Sequence, residues 1–195
     1  CIANNDRPGA LALLNQAVAT APEAARARID LARLQHMMGD SGAALGTLQA
    51  LSQQAPAAVP LATPLMLETA IAAGQAPEMQ ALLQAHYAQA PSLDVLEGIV
   101  ALQALNPTDA ATARQWYVRH LDKEQSLVAA AKWLAEEKLE HEEFHPQIQR
   151  ALDHAVKPLT RYRCAACGFE ARQHFWQCPG CQTWDSYPAR RVEEL

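Results

Sequence analysis

The chain has 195 residues, 50% of them apolar, which is enough to bury the core of one or two domains and excludes a disordered tail. Its 16 Lys and Arg against 21 Asp and Glu give a formal charge of −5, so no general basic field exists to hold nucleic acid by its phosphates, and proteins are the expected partners. The most apolar stretch, Ala57 to Gly74, is interrupted by Pro60, Pro64 and Glu68 well short of a membrane span, and with no charged n-region followed by an apolar h-region no export signal is expected within this stretch of chain.

Taken from the N-terminus, the chain repeats itself. Ala-Pro recurs at 21–22, 55–56 and 90–91, each time after an apolar helical stretch, and the prolines stand 34 and 35 residues apart. That is the tetratricopeptide period. Ala10, Leu14, Ala17 and Pro22 share their offsets with Ala44, Leu48, Leu51 and Pro56. The next unit is expected to keep the frame through Leu65, Met66, Leu82 and Ala85, with Glu78 in place of Ala44 and one residue added before Pro91. Gly39-Asp40 and Gly74-Gln75 fall where paired helices turn, since glycine takes the left-handed conformation that closes a helix. Residues 8–20 then read as the second helix of a unit, and further repeats are expected upstream.

On this register the first helix of the unit closing at Pro56 displays Arg26, Arg33 and His36 on one face, a candidate site for an acidic partner segment. From Ser92 the repeat loosens, but Leu93 to Leu105, Asp109 to Leu121, Gln125 to Lys138 and Pro146 to Val156 still have the periodicity of amphipathic helices that would cap the array. His141-Glu-Glu-Phe-His145 fits the zinc-protease pattern His-Glu-x-x-His, which needs both histidines on one continuous helix. Pro146 follows directly. A proline suits the first turn of a new helix, so this segment reads as a junction between two helices and not as a peptidase site. No phosphate-binding glycine loop or nucleophile elbow is visible either, and the chain is not expected to be an enzyme.

The chemistry is concentrated at the C-terminus. Cys164, Cys167, Cys178 and Cys181 form Cys-x2-Cys-x10-Cys-x2-Cys, two knuckles separated by enough chain for a short hairpin. Such spacing lets four thiolates converge about 2.3 Å from one tetrahedral metal ion, iron or zinc. A redox dithiol would need only one knuckle. A module this small cannot offset its chain entropy with a core of its own, so the metal must supply folding free energy. Tyr162, Phe169, Phe175, Trp176, Trp184 and Tyr187 are expected to cover the site and dock it on the helices, and base stacking is the alternative use of such a cluster. Paired thiols of this kind persist as ligands in a reducing compartment, which points to the cytoplasm; Cys1, far from them, is a bystander. Two domains are expected: residues 1–157 helical and 158–195 holding the metal.

The repeats together with Arg161-Tyr-Arg-Cys-Ala-Ala-Cys-Gly-Phe169 and Trp176-Gln-Cys-Pro-Gly-Cys-Gln-Thr-Trp184 resemble the lipopolysaccharide assembly protein B (LapB, or YciM) family. The resemblance implies a mainly α fold, a tetratricopeptide solenoid ending in a small rubredoxin-like domain whose ligands match Cys164, Cys167, Cys178 and Cys181. It also implies an adaptor on the cytoplasmic face of the bacterial inner membrane, attached by an N-terminal anchor absent from this sequence. Such proteins regulate lipopolysaccharide synthesis by promoting degradation of the deacetylase LpxC by the protease FtsH. The competing expectations are a rubredoxin-type electron carrier and a nucleic-acid-binding zinc ribbon like that of the RadA proteins.

Overall fold

The structure, a computed structural model, describes residues 6–106, 110–135, 137 and 142–195. The chain divides into two compact units, Cys1–Gly98 and Ile99–Leu195.

In the first unit α1 (Arg7–Thr20), α2 (Ala25–Met37), α3 (Ser41–Gln54), α4 (Val59–Ala72) and α5 (Ala76–Gln89) follow one another, and α6 (Leu93–Ala104) begins at its end. The three Ala-Pro steps do the same work each time. Ala21, Ala55 and Ala90 are C-caps in nearly one conformation, φ −134°, −140° and −139°, and the amide of each still bonds back to its helix. A following proline disfavours the helical region for the alanine before it, and here each alanine leaves the helix and the chain turns. The helices within each pair are joined at Gly39 and Gly74, at φ +88° and +68°. The next amides, of Asp40 and Gln75, reach back to the Gln35 and Ala70 carbonyls at 3.0 and 2.8 Å. This six-to-one closure satisfies carbonyls that a helix end leaves open. Asp40 then caps α3 by accepting from the Ala43 amide at 2.9 Å.

Ala10 and the second unit's Ala44, Leu48 and Leu51 are buried, whereas the first unit's Leu14 is half-buried and its Ala17 exposed, so α1 keeps the frame only at Ala10. The third unit is shifted. Met79 and Leu83 are buried on α5, whereas Glu78 and Ala85 are exposed and Leu82 is half-buried. Gly39 and Gly74 already stand 35 residues apart, so the extra residue enters before the turn and not before Pro91. The whole of α5 is therefore one position out of the expected frame. Between these layers α4 buries Val59, Ala62, Thr63, Leu65, Met66, Thr69 and Ala70, and its Pro64 lies inside the helix. A proline there forfeits one backbone bond. Burial on several sides holds the helix through that loss, and no single helix among the described residues is long and apolar enough to cross a membrane. Gly98 of α6 lies against Thr63 and Leu67 of α4 and Leu83 of α5, where a side chain would collide.

The second unit carries α7 (Ala110–Ala113), α8 (Gln115–Leu121), α9 (Leu127–Leu134), α10 (His145–Val156) and a two-stranded antiparallel sheet, β1 (Tyr162–Arg163) with β2 (Glu170–Ala171). The helix expected over 109–121 is thus interrupted at Arg114. The one expected over Gln125–Lys138 starts only at Leu127, because Ser126 is its N-cap, and ends at Leu134; Lys138 lies outside the described residues. At the protease-like motif, a single 3-10 turn (Glu142–Phe144) precedes α10, of which His145 is the first residue and Pro146 the second. His145 Nε2 is 3.0 Å from the Leu134 carbonyl oxygen. His141 lies outside the described residues.

Candidate metal centre

Both knuckles are built from one backbone plan. In the first, the Cys164 amide donates to the Phe169 carbonyl at 2.9 Å, and the Gly168 amide to the Cys164 carbonyl at 2.9 Å. In the second, the Cys178 amide donates to the Thr183 carbonyl at 2.9 Å, and the Gln182 amide to the Cys178 carbonyl at 2.8 Å. The residue after the second cysteine of each pair is left-handed, Gly168 at φ +77° and Gln182 at φ +61°. That conformation curls the chain back over its own cysteines. Glycine adopts it freely and glutamine at some cost. The Gln177–Trp184 bridge closes the second loop as β1 and β2 close the first.

These loops bring Cys164, Cys167, Cys178 and Cys181 together with all four sulfurs within 4.8 Å of one another. Cys164 Sγ is 3.8 Å from Cys181 Sγ, and Cys167 Sγ is 3.7 Å from Cys178 Sγ. A tetrahedral ion with metal–sulfur bonds of about 2.3 Å spaces its sulfurs about 3.8 Å apart, so the set fits one ion bound by four thiolates. Each knuckle has one buried ligand, Cys164 or Cys178, and one exposed, Cys167 or Cys181.

Electrostatics also favour a cation here. The Cys164 thiol is pulled down to about 6, chiefly by the Ser186 hydroxyl beside it and against its burial, with help from the Cys167 and Ala166 amides. Cys181 is lowered by the Thr183 hydroxyl and amide. Ser186 Oγ and Thr183 Oγ1 each stand 3.3 Å from their sulfur. Cys167 goes the other way, up to about 12: the Phe169 amide favours its thiolate, but burial and the three neighbouring sulfurs outweigh that amide. Four thiols so close cannot all ionise by themselves, and a divalent ion removes the conflict. Tyr187, whose hydroxyl lies 4.0 Å from Cys178 Sγ and donates to the Phe169 carbonyl at 3.1 Å, is raised to about 12 by burial and then by Cys178.

The aromatic cover is selective. Tyr162 and Tyr187 are buried at 5% exposure, whereas Phe169 and Trp184 are exposed at 44% and 54%. Phe169 lies on Gly180, where a Cβ would meet it at 3.3 Å. The hub is His174, which sequence reasoning passed over: its ring sits edge-on to Tyr162, Trp176 and Tyr187, and its Nε2 is 3.0 Å from the Tyr187 carbonyl oxygen. Ser186 and Thr183 were likewise missed, since single hydroxyl residues near cysteines form no motif. On α2, Arg26 and Arg33 both reach Asp30, at 3.8 and 3.2 Å, and His36 Nδ1 is 3.0 Å from Ser41 Oγ. Their common face therefore carries an acid between its two cations.

Residues 162–187 match the model of a rubredoxin metal binding domain, and residues 2–66 match a tetratricopeptide repeat. Along 201 aligned residues, covering 100% of this chain, it is 24% identical to lipopolysaccharide assembly protein B of Escherichia coli K12 and of Escherichia coli O157:H7. The chain is similar over its whole length to lipopolysaccharide assembly protein B. The protein of that name from Haemophilus influenzae is 31% identical over 39 residues, 20% of this chain and 10% of its own. This chain spans about half of the Escherichia coli relatives, 51% of their length. That alignment takes in both the repeat segment and the cysteine ribbon of this chain.

Proposed function

We propose that this chain is the repeat-and-ribbon portion of a non-enzymatic adaptor in lipopolysaccharide assembly. The observation that carries this reading is the pairing of a tetratricopeptide array with a ribbon whose four sulfurs meet at one point. Repeat arrays work by presenting an extended surface to protein partners. In this reading residues 1–157 are repeats and capping helices, and residues 158–195 are the metal domain. Cys164, Cys167, Cys178 and Cys181 hold one iron or zinc ion, whose contribution is structural. The partners, by family resemblance, are the FtsH protease and the LpxC deacetylase, which the full-length protein would bring together at the cytoplasmic face of the inner membrane, using an N-terminal anchor. Arg26, Arg33 and His36 form the candidate partner face.

The test uses full-length protein. Affinity purification should retain both partners, and the half-life of the deacetylase should lengthen when the protein is removed. Recovery of neither partner, with unchanged turnover, would sink the reading. Charge reversal in Arg26→Glu with Arg33→Glu should weaken capture at unchanged helical and metal content. Unaffected capture would move the contact to another surface.

A further inference from the structure

Helix α9 is capped from a distance. The first amides of a helix have no partner within it, and its N-terminus favours an anion. Here Ser126 Oγ accepts from the Ala129 amide at 2.9 Å and donates to Glu193 Oε2 at 2.7 Å. The Leu127 amide donates to Glu193 Oε1 at 2.6 Å, and the Val128 amide to the same oxygen at 3.1 Å. One carboxylate, more than sixty residues along the chain, thus completes the first turn of α9.

The segment bearing Glu193 is fixed at its other end to the cysteine ribbon. Ser186 gives its carbonyl to the Ala165 amide at 2.7 Å and sets its hydroxyl beside Cys164, and Tyr187 follows it into the aromatic cover. Farther on, the Arg191 guanidinium lies 4.2 Å over the Tyr162 ring, two residues before Cys164, and donates to the Thr160 carbonyl at 2.7 Å. The Val192 amide donates to the Arg161 carbonyl at 2.7 Å and the Glu193 amide to the Leu159 carbonyl at 3.2 Å. Apart from the Glu193 carboxylate itself, these supports lie on the ribbon or the chain entering it.

We propose that residues 186–195 are a strap that transmits the folded state of the cysteine ribbon to α9, with the Glu193 carboxylate as its latch. The proposal rests on the reading that the four cysteines hold one ion. When the ion is removed the knuckles lose their shape, the Ser186 and Tyr162 supports go with them, and the carboxylate is no longer held over the α9 amides. Partner surfaces on the helices of this unit would then respond to metal supply.

Hydrogen exchange on the full metal-loaded chain, with and without a strong chelator, tests this, and elemental analysis of the same samples reports the ion. Chelation should speed exchange at Leu127 and Val128 by about tenfold or more, the order expected when charge-assisted bonds are lost. Metal-loaded Glu193→Ala should already show the faster rate, and chelation should add little to it; Glu193→Gln, which keeps the shape but not the charge, should fall between. Loss of the ion with Leu127 and Val128 still protected would overturn the strap alone. If the untreated chain holds no ion, the metal reading falls and the strap's role falls with it.

Discussion

Each of α1 to α5 contributes buried apolar side chains, and on α3 and α4 Leu48, Leu51 and Met66 are wholly buried. Between Tyr162 and Tyr187 the buried side chains are two tyrosines and two cysteines. The repeats can draw on about 25 cal/mol for each Å² of apolar surface removed from water, while the ribbon has too little such surface to offset its chain entropy. What the ribbon has instead is convergence, four sulfurs placed by two copies of one turn. The difference teaches that the two regions should respond to different insults. Core truncation should harm the repeats, and ligand loss or chelation the ribbon.

The largest expected effect separates them outright. Cys178→Ser should abolish stoichiometric metal and unfold the ribbon, while the circular-dichroism signal of the helices largely stays; elemental analysis decides it, and one tightly held ion in the variant would refute the four-sulfur site. In the other direction Leu48→Ala should cost the repeats about 2–5 kcal/mol in denaturant unfolding while the metal content is unchanged. Loss of metal in that variant would show that the two regions do not fail independently.

A smaller effect is expected at Gly98. Gly98→Val drives a side chain into Thr63, Leu67 and Leu83, which should destabilise the helices by about 1–3 kcal/mol. Thermal unfolding of the helical signal measures it, and an unchanged midpoint would mean that α6 can withdraw from α4 without loss.

How much could be read beforehand follows the same division. The prolines at 22, 56 and 91 and the turns at Gly39 and Gly74 were legible because backbone restrictions are local and belong to the residue type. So were the four cysteines, whose spacing is dictated by metal geometry. The frame of α5 was not legible, because a one-residue insertion hidden before Gly74 changes no composition and only moves Met79 and Leu83 inward. Nor were His174, Ser186 and Glu193, whose roles depend on chain brought together from afar. Arg26 and Arg33 both reach Asp30, which went unweighed because partners three and four residues apart on a helix matter only once its face is known.

Acid sharpens the comparison from the helical side. Burial holds His120 below its ordinary value of 6.5, outweighing Glu124 and Glu193. Folding therefore favours the neutral ring, and this contribution is full above pH ~6.5 and is lost as pH falls toward the depressed folded value. Cys178→Ser, with no ion to lose, should still lose helical stability on acidification, and adding His120→Gln should flatten that dependence in denaturant titrations. An unaltered slope would assign the acid sensitivity to other groups.

The smallest effect concerns the pseudo-symmetry of the knuckles. Gln182→Gly, which gives the second loop the residue of the first, relieves left-handed strain of about 1 kcal/mol but frees the unfolded chain by a similar amount. Metal affinity should change less than about threefold. Gly168→Val, forcing a branched side chain into φ +77°, should weaken it by more.

One exposed and one buried sulfur in each knuckle give the centre a direction of exchange. A chelator or competing thiol arriving from solvent meets Cys167 and Cys181, one sulfur from either loop, before it reaches Cys164 and Cys178. An ion leaving by that route passes through a state held by the two inner sulfurs alone. Release should therefore proceed in two kinetic phases, the second set by how long Tyr187, whose hydroxyl lies 4.0 Å from Cys178 Sγ, stays over the inner pair.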